Sequence, residues 1–187
     1  GGALPLSDAV PVLENFGFTV IEQVPTEIGN DIAYIHDFHL GLRGEADSAP
    51  LFERKAIVET ALTQVLDGKA ENDPFNQLIT LAGLEPRSVV WLRAWYRYLR
   101  QTGLSYGIPT VVAALSAHAG IARSIVALFE ALHDPAYEDD RVTASAKLDA
   151  EIKHGLANVA AADEDRILRL MQAVVKACLR TNAFAPA

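Results

Sequence analysis

Cysteine is nearly absent from this 187-residue chain: Cys178 stands alone. A single thiol excludes an internal disulfide framework and suits a reducing, cytoplasmic setting. Its apolar, helix-like surroundings mark it as a buried structural thiol rather than a reactive one. Methionine is equally scarce, with only Met171, so the chain reads as an internal piece of a longer protein. Gly1-Gly2 is set aside from fold reasoning on the same ground. No apolar run approaches the roughly 18 residues that a membrane span needs, and no signal sequence is visible, so no membrane partner is expected. Beyond Gly1-Gly2 the glycines are spread singly. No G-x-G-x-x-G follows a strand and no P-loop pattern occurs, so the chain has no phosphate cradle and no expected cofactor of its own. The serines lack the elbow motif of a nucleophile. Positive charge is missing from the first quarter, where Arg43 faces eight acidic residues between 1 and 49. That balance argues against nucleic-acid binding there, since phosphate contacts need clustered Lys and Arg.

What is present is apolar sequence, 50% of the chain, enough for a well-filled core. The overall charge of −8 is concentrated before residue 50, while the remainder is nearly balanced. This asymmetry predicts two modules, 1–45 and 46–187. The first reads as helix, strand, strand. Ser7 is the expected N-cap, Val10, Leu13 and Phe16 form an apolar face, and Gly17 is the stop. Phe18–Pro25 and Ile32–Leu40 are β-branched and partly alternating, joined by Gly29-Asn30-Asp31. From 41 to 50 the composition is that of a linker. Beyond it every segment has helical period: Pro50 or Leu51 to Asp67, Asn72 to Gly83, Pro86 to Thr102, Ile108 to His118, Ala119 to His133, Asp140 to Ala161, and Asp163 to Thr181. The second and third of these carry strong end signals, Asp73-Pro74 and Gly103. The pair at 108–133 reads as two helices or as one bent at Gly120. Asp163 is the expected cap of the last. The fold class is therefore mainly α, a helical bundle preceded by a small α+β unit.

Few residues are grouped in a way that suggests chemistry. His36, Asp37 and His39 offer at most two ligands on one strand face, and a solvated strand end is the simpler reading, so no metal is expected. Asp139-Asp140 and Asp163-Glu164-Asp165 sit at helix starts, where they complement the dipole. No catalytic residue is assigned. The densest pattern is Arg93, Arg97 and Arg100 at i, i+4 and i+7, interleaved with Trp91, Trp95, Tyr96 and Tyr98, with Arg87 extending it. An amphipathic helix with aromatics in its core and arginines at its rim explains this pattern. Trp and Arg also anchor interfaces, which makes Trp91, Arg93, Trp95, Arg97 and Arg100 the candidate interface residues.

Three strings carry a resemblance. ENDPFNQLITLAGLEPRSVVWLRAWYRYLRQTG (71–103), DEDRILRLMQAVVKACLRTNAF (163–184), and LPLSDAVPVLENFGFTVIEQVPTEI leading to IHDFHL resemble the pre-catalytic region of the large bacterial NAD-specific glutamate dehydrogenases. The resemblance implies that residues 1–45 are part of an ACT-like unit and that a helical motif follows. It further implies a parent that converts glutamate to 2-oxoglutarate and ammonia with NAD, and that is a homo-oligomer. The substrate lysines and the dinucleotide fingerprint expected of that parent are not in this chain. The leading expectation is thus a non-catalytic structural or regulatory segment whose partners are the rest of its own polypeptide and sister subunits. The alternative is a free-standing helical module that binds a protein or nucleic acid through the arginine and aromatic face. A third reading is a small-molecule sensor with a pocket at the strand–helix junction.

Overall fold

A computed structural model describes residues 5–29, 33–43 and 49–185. Parts of the expected 29–31 turn and of the linker, and Gly1-Gly2, lie outside the described residues. The fold is mainly helical with one small antiparallel sheet, as the sequence reading expects. Packing divides the chain into two units, Gly1–Pro86 and Arg87–Ala187. This boundary follows contacts, whereas the one at 45 follows surface charge.

In the first unit, helix α1 (Leu6–Asn15) starts at Pro5, whose carbonyl accepts from the amides of Asp8 and Ala9. Ser7 therefore lies inside the helix and donates to Asp8 Oδ1 instead of capping. The buried stripe is Ala9, Val12 and Phe16 at i, i+3 and i+7, so Val10 and Leu13 flank the face rather than centre it. Gly17 then turns the chain with φ +84°, a conformation that only glycine adopts freely. Strand β1 (Phe18–Ile28) pairs antiparallel with β2 (Ala33–Leu42), from Phe18 opposite Leu42 to Ile28 opposite Ala33. A register irregularity lies between Val20 and Glu22. β1 runs past Pro25, the expected end, because in a two-stranded sheet one side of each strand has no ladder to break.

Where one helix is expected from 50 to 67, the chain forms α2 (Ala49–Glu53) and α3 (Lys55–Leu66). The break is at Arg54, whose backbone leaves the helical region at φ −107°, ψ 14°. Its guanidinium donates to the carbonyls of Ile79 and Leu84 and pairs with Glu85. The buried face of α3 is Val58, Ala61 and Val65, and Phe52 is left largely exposed. Asp73 caps a short 3-10 turn (Pro74–Asn76) by accepting from the Phe75 amide, and α4 (Gln77–Leu81) follows. Phe16, Phe75 and Leu78 are fully buried in this unit.

The second unit contains α5 (Pro86–Gln101, from Arg87 onward), α6 (Ile108–Ala117), α7 (Ala119–His133), α8 (Arg141–Leu156) and α9 (Ala162–Ala177). The α6–α7 break falls at His118 and turns the chain by 97°, so Gly120 lies inside α7. No single helix among the described residues is long and apolar enough to cross a membrane. Asp140 caps α8 through the Val142 amide. Asp163 does not cap α9: the helix begins one residue earlier, and Asp163 accepts from the Tyr106 hydroxyl at 2.6 Å. Beside it, Glu164 lies 2.8 Å from His118 Nε2, joining the α6–α7 corner to the start of α9. Gly155 lets α8 approach α7 at Ile121. Val111, Leu115, Ile125, Ile152, Leu168 and Met171 are fully buried here.

Candidate functional site: an aromatic groove on the helical unit

The interface residues expected on α5 have separate surroundings. Arg93 is buried at 4% exposure, Arg97 is exposed, and Arg100 donates through Nη1 to the Leu104 carbonyl at 2.8 Å. Arg100 thereby holds the loop after the Gly103 stop. Trp91 and Trp95 are mostly buried, while Tyr98, expected beside them in the core, is 57% exposed.

The two tryptophans meet Phe129 of α7, with ring centroids 5.0 Å and 5.1 Å away. Such tilted and edge-on pairs add to simple area burial because ring edges and faces carry opposite partial charge. His133 packs tilted against Phe129 with ring centroids 4.9 Å apart, and its Nε2 is shielded without a hydrogen-bond partner among the described residues.

The wall of the groove comes from the chain after α9. That helix stops at Ala177 because Cys178 is extended (ψ 118°), so the segment to Thr181 expected as helix is not helical. Cys178 is half-buried, and its thiol donates to the Arg180 carbonyl. Backbone amides of Ala183 and Ala185 then donate to Thr181 Oγ1 and the Asn182 carbonyl, which curls the segment back. This turn sets Phe184 against Phe129 at 5.6 Å and Trp91 at 5.2 Å.

Between these surfaces lies an open groove of about 890 Å³, large enough for a substantial ligand. Arg87 stands at its edge with its guanidinium carbon 4.7 Å from the Trp91 ring centre and 4.6 Å from that of Phe184. Cation–π attraction accounts for that position. Glu130 of α7 interacts electrostatically with Arg87. Burial raises its carboxyl above the ordinary range, Arg87 draws it partly back, and Asp134 pushes it the same way as burial. Exposed Val90, Tyr98 and Leu179 extend the apolar surface.

The sequence identifies the tryptophans but not Phe129, Phe184 or the fold-back after Cys178. In the sequence, Phe129 is one apolar residue of an amphipathic helix, and Phe184 follows a helix expected to run on to Thr181. His36 bonds with Gln23 across the hairpin, and Asp37 and His39 are exposed. Among the described residues no group of three His, Cys, Asp or Glu is placed to hold a metal ion.

Residues 1–51 match the family described as glutamate dehydrogenase, ACT3 domain, and residues 70–135 match glutamate dehydrogenase, helical motif 3. The chain belongs to the glutamate dehydrogenase family. Its similarity to the NAD-specific glutamate dehydrogenase of Pseudomonas aeruginosa is 36% identity over 189 residues, covering 98% of this chain and 12% of that protein. The corresponding proteins of Halomonas elongata and Mycobacterium tuberculosis are 35% and 34% identical, again over 98% of this chain and 11% and 12% of their own length. The chain thus spans about an eighth of these glutamate dehydrogenases. The ACT3 match takes in α1, β1 and β2, and the helical motif 3 match takes in α4 to α7. Trp91, Trp95 and Phe129 belong to helical motif 3, while the wall from Cys178 to Ala185 lies beyond the residues that it matches.

Proposed function

We propose that this chain is a non-catalytic structural and regulatory segment of a large NAD-specific glutamate dehydrogenase, a cytoplasmic homo-oligomer that oxidises L-glutamate to 2-oxoglutarate and ammonia while a hydride passes to NAD. The observation that carries this reading is the lopsided coverage, nearly all of this chain against about an eighth of each relative. NAD and glutamate then belong to other parts of the polypeptide. The segment's partners are those other parts and sister subunits, and its contacts transmit assembly or effector state to the catalytic core.

The apolar rim at Val90, Tyr98 and Leu179, with Arg97 nearby on α5, supports a docking role, because exposed aromatic, aliphatic and Arg side chains together are what interfaces use. A nucleic-acid module is less well supported. Arg93 is buried away from the track that a phosphate backbone would need.

The test uses the full-length enzyme carrying Arg97→Glu together with Tyr98→Ala, and reads oligomer mass, glutamate oxidation and effector response. We expect altered mass or effector response with the folded catalytic core intact. Unchanged mass, activity and response would remove the docking role. Glutamate oxidation by the purified 187-residue chain would overturn the non-catalytic reading itself.

A further inference from the structure

We propose that the aromatic groove of the second unit is a binding site for a small carboxylate carrying a flat apolar group, of the arylalkanoate or aryl keto acid class. The ligand's carboxylate would meet Arg87, and its apolar group would lie along Trp91, Trp95 and Phe129. This rests on groove geometry alone and holds whatever larger protein carries the chain.

Charge selects the class. In a chain of net charge −8, the two charged residues that line the groove are Arg87 and Arg180, and no lining residue is acidic. Arg87 makes no ion pair among the described residues. Its guanidinium instead sits over the rings of Trp91 and Phe184. Arg87 is exposed and its N–H groups make no hydrogen bond among the described residues, which leaves them open to a carboxylate, the acceptor that arginine binds through two parallel hydrogen bonds. Glu130 feels the charge of the same guanidinium but makes no ion pair with it, so it does not occupy the cation. The remainder of the lining is largely aromatic and aliphatic, which rewards a planar apolar group and gives a short polar acid nothing to fill. Thr181 and Asn182 add polar groups on the wall opposite α5.

Both tryptophans of the chain line this groove, so their two indole N–H resonances report on it directly. The experiment titrates the chain with 3-phenylpropionate and, separately, with its neutral amide at constant ionic strength. The expected result is saturable movement of both resonances, with the acid bound about tenfold or more tightly than the amide, as a charge-assisted hydrogen bond requires. Arg87→Met should reduce the acid to the level of the amide while leaving the amide unchanged. Lys147→Ala, on α8 outside the groove, should leave both as they are. Equal binding of acid and amide by the unsubstituted chain overturns the proposal without reliance on any variant. So does saturation by neither compound, which would leave the groove to a polypeptide segment, and so does an acid preference that survives in a folded Arg87→Met chain.

Discussion

Gly155 shows how one missing methyl sets the spacing of two helices. A Cβ there would lie 2.8 Å from Ile121 Cγ1 and 3.1 Å from Cδ1. Helix propensity alone favours alanine by about 1 kcal/mol. Overpacking of this kind costs about 1–3 kcal/mol, so the clash should win and Gly155→Ala should destabilise the chain. In an Ile121→Ala background the clash is gone and the same substitution should stabilise it. Urea denaturation of the four chains measures both signs, and a loss of stability in both backgrounds would refute the account. Glu130 makes a different residue-scale prediction. Because burial raises its folded pKa above the unfolded value of about 4.5, the folded chain binds that proton more tightly than the unfolded chain does. Stability is therefore greatest below the unfolded value and declines as pH rises through the folded one. Glu130→Gln removes that decline. Its melting temperature should exceed that of the unsubstituted chain at neutral pH, and the difference should close as pH falls below the carboxylate range.

At the scale of elements, irregularities are where side chains reach backbone. The single helix expected from 50 to 67 divides because Arg54 is committed to the carbonyls of Ile79 and Leu84, at 3.0 Å and 3.2 Å. Those acceptors lie at and after the end of α4, where a helix leaves carbonyls without intrahelical partners. Arg54→Met keeps the apolar stem but removes both donors. The expected loss is about 1–2 kcal/mol by thermal or chemical denaturation, the usual effect of orphaning half-buried acceptors. An unchanged stability would mean that water replaces the guanidinium at no cost. The same principle explains α9. Asp163 is the expected cap, but it accepts from Tyr106 and the helix begins without a side-chain cap. Local signals still located most elements well. Asp73 caps as expected, Asp140 caps α8, and Gly17, Gly83 and Gly103 all take positive φ at the stops where sequence placed them. Helix faces were less legible: in α1 the buried stripe is centred one residue from part of the expected face, because neighbouring stripes differ little in apolar content.

For the molecule as a whole, charge and packing draw different lines. Net negative charge collects before residue 50, yet α1 packs on α3 and on the 3-10 turn, and the first compact unit runs to Pro86. The absence of long apolar runs and of a dinucleotide motif is a property of the sequence, readable without coordinates. The mainly helical class, the hairpin and the family resemblance were likewise determined by the sequence, since caps, glycine stops and hydrophobic period act over a few residues. The groove was not. It depends on Phe129 from α7 and Phe184 from the fold-back after Cys178 meeting Trp91 of α5, and on Arg87 settling over two of those rings. Residues so far apart in the chain carry no joint local signal. Only tertiary packing, which brings distant apolar side chains together to exclude water, decided that they form one surface.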